Sequence, residues 1–129
     1  MNIALLEDNP SILDYLSTAL ELLGHSVVKF THSAPLLETL FIGENVRSPI
    51  PYDLVLIDLL LPGSISGLET AHIIQQAIPP NRLHIIVVSA CSQKELEQAR
   101  AELLHVPILR KPFRIHELLQ TVDQMRLAC

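Results

Sequence analysis

The chain has 129 residues, which suits one domain, and 49% of them are apolar, enough for a sizeable core. Basic residues number 9 against 14 acidic, and the formal net charge of −5 argues against the basic face that nucleic-acid binding uses. Met1 to Asp8 lacks the basic start of a signal peptide, no run approaches the roughly 20 apolar residues of a membrane helix, and Cys91 and Cys129 form neither a CxxC nor a disulfide framework, so a soluble, cytoplasmic protein without a membrane anchor is expected.

Ile3 to Leu6 is a short, continuous apolar run, predicted as a buried strand. Asn9-Pro10 supplies an N-cap and a proline for the first helical position. Ile12, Leu13, Leu16, Leu20 and Leu23 follow at helical spacing, and Gly24 is a natural stop. Val27 to Thr31 reads as a second, partly alternating strand. Ser33 is placed to cap a helix carrying Leu36, Leu37, Leu40 and Phe41. Gly43 to Tyr52, with two prolines, reads as loop. Leu54 to Ile57 is a third strand, residues 67–77 form a helix ending before Pro79-Pro80, and Ile85 to Val88 is a fourth strand. Ser92-Gln93-Lys94-Glu95 matches a capping box, ahead of a helix with a thin stripe of Leu96, Ala99 and Leu103. Val106 to Leu109 is a fifth strand with Pro107 inside it, which belongs at a sheet edge. A last helix carries Ile115, Leu118, Leu119, Val122 and Met125.

Strands alternating with helices predict an α/β fold, a parallel sheet covered by helices on both faces. The first, third and fourth strands are apolar throughout and should be central; the second and fifth are mixed and should be edges. That ranking suits a doubly wound five-stranded sheet of order 2-1-3-4-5, the flavodoxin-like arrangement. Ligands of such sheets bind beyond the carboxyl ends of the strands.

Ionisable or polar groups follow the strands there: Glu7-Asp8 after the first, Asp58 after the third, Ser89-Ala90 after the fourth, Lys111-Pro112 after the fifth. Three close carboxylates do not all ionise comfortably without a cation. Mg²⁺ suits them, since it takes oxygen ligands and uses one or two carboxylates with water and phosphate oxygens. A carboxylate beside Mg²⁺ can attack phosphorus to give an acyl phosphate, with Lys111 and the Ser89 hydroxyl holding phosphoryl oxygens. Singly, each group has an ordinary reading. Glu7-Asp8 can be acids at a helix N-terminus, Asp58 a turn residue before Pro62-Gly63, Ser89 a loop residue and Lys111 a solvated surface charge. Together, in this order, they point to one site.

The sequence resembles the receiver domain of two-component response regulators over essentially residues 1–129, read as a single domain. "ALLEDNPSI", "LVLIDLLLPG" with "SGLE", "IIVVSA" and "LRKPF" carry the resemblance. It implies that Asp58 is the phosphoacceptor, that Asp8 and Asp58 ligate Mg²⁺ with Glu7 acting through water, and that the main-chain carbonyl of Leu60 is a further ligand. It implies that Ser89 is the switch hydroxyl, that Ala90 adjoins the phosphoryl group, that Lys111 pairs with a phosphoryl oxygen and that the Lys111–Pro112 bond is cis. The implied donor is a histidine kinase or phosphotransfer protein. The implied output is a downstream protein, or an effector domain outside these residues, with a dimer through the face of the fourth helix, fifth strand and fifth helix as one option. Residues 1–129 contain no helix-turn-helix segment, so direct DNA binding is not expected. Stand-alone receiver and part of a longer regulator both stay open.

The chain departs from the family pattern at several positions. Glu7 stands where many relatives have Asp. The "PGSISG" loop is one residue longer than usual before Gly67. Ile108 stands where many receivers carry an aromatic, so a ring rotation cannot report the switch. Leu60 and Cys91 occupy the two variable positions that bear on phosphoryl lifetime; neither suits an attacking water, and slow self-dephosphorylation is expected. Cys91 as a redox sensor has no low-pKa surroundings legible in the sequence. The histidines at 25, 32, 72, 84, 105 and 116 show no ligand spacing. A phosphorylation-independent interaction module of the same fold is the alternative. A haloacid dehalogenase-like phosphatase would need a second Asp two residues after the nucleophile, where Leu60 stands, so an enzyme acting on other substrates is not expected.

Overall fold

The computed structural model describes residues 1–61, 65–90 and 92–127. In chain order the elements are β1 (Asn2–Leu6), α1 (Pro10–Leu22), β2 (Ser26–Phe30), α2 (Ser33–Leu40), β3 (Phe41–Ile42), β4 (Asn45–Val46), β5 (Leu54–Asp58), α3 (Gly67–Ala77), β6 (His84–Ser89), α4 (Gln93–Glu102), β7 (Ile108–Arg110) and α5 (Ile115–Leu127). Five strands form a parallel sheet in the order β2-β1-β5-β6-β7. With the short β3-β4 pair set aside, this is the expected 2-1-3-4-5 order. β5 is buried at every position and β1 at all but its first residue, whereas β2 and β7 are the partly exposed edges.

Side chains along a strand alternate between faces, so each buried strand feeds two cores. Ala4, Leu6, Val55, Ile57 and Val87 pack under α2, α3 and α4 with Leu36, Leu40, Ala71, Ile74 and Ala99. Ile3, Leu5, Leu54, Leu56 and Ile86 pack under α1 and α5 with Leu13, Leu16, Leu20, Leu118 and Val122. Each fully buried leucine or isoleucine stabilises the fold by about 1.5–3 kcal/mol relative to exposure. Continuous apolar runs in the three central strands are therefore what a sheet covered on both faces requires.

Helix ends follow local chemistry. The Asn9 side chain accepts from the Ser11 and Ile12 amides, and Pro10 opens α1. Gly24 ends it with φ +89° and donates to the Glu21 carbonyl. The Ser92–Glu95 capping box is formed on α4.

Four local expectations are corrected. Ser33 is the first residue of α2 rather than its cap; the cap position is His32, which makes no side-chain bond. α2 ends at Leu40, because Phe41 is already extended (φ −129°, ψ 148°) and enters β3. The expected loop of residues 43–52 contains part of an antiparallel hairpin, β3-β4, whose turn places Gly43 at φ +60°. β7 begins at Ile108, so Pro107 lies just before the strand; its carbonyl accepts from the Val87 amide at 2.9 Å, a bond that does not need the missing N–H.

Candidate functional site

β1 and β5 lie side by side, and both run to the same edge of the sheet. Glu7 and Asp8 follow β1, where the Glu7 amide donates to the Phe30 carbonyl before Asn9 turns the chain into α1. Asp58 is the last residue of β5, opposite Val88 of β6. The Lys111 amide donates to the Ser89 carbonyl at 2.7 Å, which brings the end of β7 beside the end of β6. The Lys111–Pro112 bond is cis.

This arrangement gathers the charges. Glu7, Asp8 and Asp58 each offer an oxygen within 4.8 Å of the others; Glu7 and Asp58 are buried and Asp8 is exposed. Lys111 Nζ lies 3.0 Å from Glu7 Oε2 and 3.2 Å from Asp58 Oδ2. The other Asp58 oxygen, Oδ1, accepts from the Leu60 amide at 3.0 Å. Glu7 Oε1 accepts from the Asn9 amide at 3.2 Å.

Burial is the main force raising the Glu7 carboxyl above its ordinary pKa; the Lys111 hydrogen bond pulls it back in part, and the Asp58 charge adds to the rise. Burial alone would lower the Lys111 pKa, but Glu7 and Asp58 outweigh it and the ammonium is held above its ordinary value. Like charges at this spacing repel by about 3–4 kcal/mol per pair at an effective dielectric of 20. Three such pairs outnumber the two contacts Lys111 makes, and a formal excess of two negative charges is left. An all-oxygen donor set with one water-facing carboxylate fits a hard dication such as Mg²⁺.

Of the other expected residues, Leu60 and Ser89 adjoin this centre and Ile108 does not. Ser89 is fully buried at the end of β6, and Ala90 is exposed just beyond it. Leu60 presents its amide to Asp58, while its side chain is 48% exposed. Ile108 lies in β7 and packs against the cluster that contains Ala99 and Leu103. Cys91 and residues 62–64 of the "PGSISG" loop lie outside the described residues. A recess of about 380 Å³ opens beside Lys111, between Ile12, Tyr15 and Leu16 of α1 and Ala90, Pro112 and Phe113.

Sequence reasoning missed two supports of the site. Ser66 caps α3, accepting from the Glu69 amide at 3.1 Å, and Ser66-Gly67-Leu68-Glu69 was a legible Ser-x-x-Glu signal. Gly67 sits against the carboxyl end of β5: a Cβ there would overlap the Asp58 carbonyl oxygen and lie 2.7 Å from Leu59 Cα.

The model of the response regulator receiver domain family matches residues 3–123. Among solved structures, the BeF₃-activated receiver domain of DrrB, a Thermotoga maritima OmpR/PhoB homologue, is 24% identical with a TM-score of 0.77, covering 96% of this chain and 95% of that one. The T. maritima response regulator TrrA in complex with Mg²⁺-BeF is 27% identical with a TM-score of 0.76, covering 96% and 97%. A CheY-like receiver domain protein from Methanospirillum hungatei is 21% identical with a TM-score of 0.78, covering 99% and 98%. A comparison with curated proteins gave no significant match. With the fold, the acidic cluster and a family match over nearly its whole length in agreement, the chain belongs to the response regulator receiver domain family.

Proposed function

We propose that this receiver, read as one domain over residues 1–129, takes a phosphoryl group on Asp58 from a histidine kinase or phosphotransfer protein, and that the modified state changes which partner it binds. The observation that carries the reading is the buried Glu7–Lys111–Asp58 ion-pair set with Asp8 beside it. An Asp58 oxygen attacks phosphorus; the bond from phosphorus to the donor's nitrogen or oxygen breaks, and the donor leaves with that electron pair. Glu7, Asp8, Asp58 and the Leu60 carbonyl are the groups that would hold Mg²⁺, which supplies charge neutralisation at the phosphoryl oxygens.

Within the chain, Lys111 orients the Asp58 carboxylate before transfer and pairs with a phosphoryl oxygen after it. The Leu60 amide holds the second carboxylate oxygen, which fixes the attacking group's direction. Ser89 and the Ala90 main chain receive the remaining phosphoryl oxygens. Transfer adds about −1.5 to −2 charges at one edge of the sheet, and the β6-α4 segment is the element it biases. The α4-β7-α5 face then serves a downstream protein, an effector domain or a second copy. Ile108 moves by repacking rather than ring rotation. Chemistry beyond its own phosphorylation and slow dephosphorylation is not assigned. Among the described residues no helix is long and apolar enough to cross a membrane.

Ile108 also supports a second reading, in which the fold is an interaction module that does not switch. Beryllofluoride with Mg²⁺ separates the two. Under the first reading it raises the melting temperature of the wild type and leaves Asp58→Asn unchanged. An equal response in both proteins, or none in either, supports the module.

A further inference from the structure

Outside the carboxylate centre, a buried pair of hydroxyls among the described residues joins α2 to α3. Ser33, first residue of α2, and Thr70, in the first turn of α3, are 4% and 0% exposed. Their hydroxyl oxygens are 2.7 Å apart, across 37 residues of sequence. Thr70 Oγ1 also lies 2.8 Å from the Ser66 carbonyl, and Ser33 Oγ lies 3.3 Å from the Ile65 carbonyl. Each hydroxyl has one proton. If Thr70 donates to Ser66, Ser33 donates to Thr70; if Thr70 donates to Ser33, Ser33 donates to Ile65. In both arrangements α2 is tied to the segment that enters α3.

The first turn of α3 is held on its other side by Gly67. Its Cα lies so close to the end of β5 that a side chain there would collide with the Asp58 carbonyl and with Leu59 Cα, 2.7 Å away. A shift of α3 is therefore passed directly to the main chain of Asp58 and Leu59. The next amide, Leu60, is the one that holds Asp58 Oδ1.

We propose that Ser33 and Thr70 are positioning residues for the Asp58 site. Their hydroxyl pair fastens α3 to α2, and Gly67 transmits that placement to the carboxylate and to the Leu60 main chain. The proposal rests on the reading of Asp58 as phosphoacceptor and Mg²⁺ ligand. Groups that orient metal ligands from one layer out characteristically change metal affinity when removed, with little change in the ligands themselves.

The test compares wild type, Thr70→Val, Thr70→Ser and Ser33→Ala. Mg²⁺ binding is measured by calorimetry, Leu60 amide exchange by NMR, and Asp58 labelling by intact mass after acetyl phosphate. Thr70→Val should weaken Mg²⁺ binding about tenfold, speed exchange at Leu60 selectively and slow labelling; Thr70→Ser should restore all three. Ser33→Ala should repeat the valine effect in milder form and decides the matter if Thr70→Val fails to fold. Folded Thr70→Val or Ser33→Ala with wild-type Mg²⁺ affinity and Leu60 exchange overturns the proposal. A wild type that binds Mg²⁺ but is never labelled overturns the phosphoacceptor reading instead, and the Mg²⁺ and exchange results still decide the positioning role.

Discussion

The Lys111 ammonium lies 3.2 Å from the Asp58 carboxylate, across 53 residues of sequence. The same ammonium reaches Glu7, so one cation holds two buried carboxylates. This gives Lys111 two opposed effects: it offsets repulsion between the carboxylates, and it repels a dication entering the same centre.

Replacing Lys111 with Met separates those effects. In Mg²⁺-free solution the variant should be less stable by about 1–3 kcal/mol, since it leaves buried carboxylate oxygens without their donor. Mg²⁺ should bind it several-fold more tightly, because a like charge beside the three carboxylates is gone, while labelling by acetyl phosphate slows. Urea unfolding with and without Mg²⁺, calorimetry and intact mass give the three readings. Weaker Mg²⁺ binding than wild type contradicts the account.

Proton and metal compete at Glu7. Its pKa is raised above 4.5. In the metal-free protein such a carboxyl contributes stability that is complete below the ordinary carboxylate pKa and is lost as pH rises through the folded-state value. Mg²⁺ needs the ionised form. The rise in melting temperature caused by a fixed Mg²⁺ concentration should therefore grow with pH across the weakly acidic range. Glu7→Gln should lose part of that pH dependence. A Mg²⁺ increment that is flat with pH in the wild type counts against the site.

The side chain of Leu60 is about half exposed and has no group to orient water. Phosphorylated protein should accordingly persist for minutes or longer in excess Mg²⁺, and Leu60→Asn should shorten that lifetime. Decay followed by intact mass checks both statements; a wild-type lifetime of seconds contradicts them.

Much of this was legible in the sequence for a physical reason. In a sheet buried on both faces, central strands must be apolar throughout, so Ile3 to Leu6, Leu54 to Ile57 and Ile85 to Val88 could be placed. A polar group ending such a run emerges at the carboxyl edge, which located Glu7, Asp58 and Ser89. What escaped depends on tertiary contacts. Phe41 continues the helical spacing of α2, yet it extends into a hairpin that pairs with Val46. Ser33 looked like a cap because serine favours caps; its hydroxyl instead finds Thr70, which no local pattern reveals.

The central claim is that Asp58 accepts the phosphoryl group. Its most direct test is intact-mass measurement of the wild type and Asp58→Asn after incubation with acetyl phosphate, with and without Mg²⁺. The account predicts a gain of one phosphoryl mass in the wild type that requires Mg²⁺ and is abolished by Asp58→Asn. No gain in the wild type, or an equal gain in the variant, would contradict it.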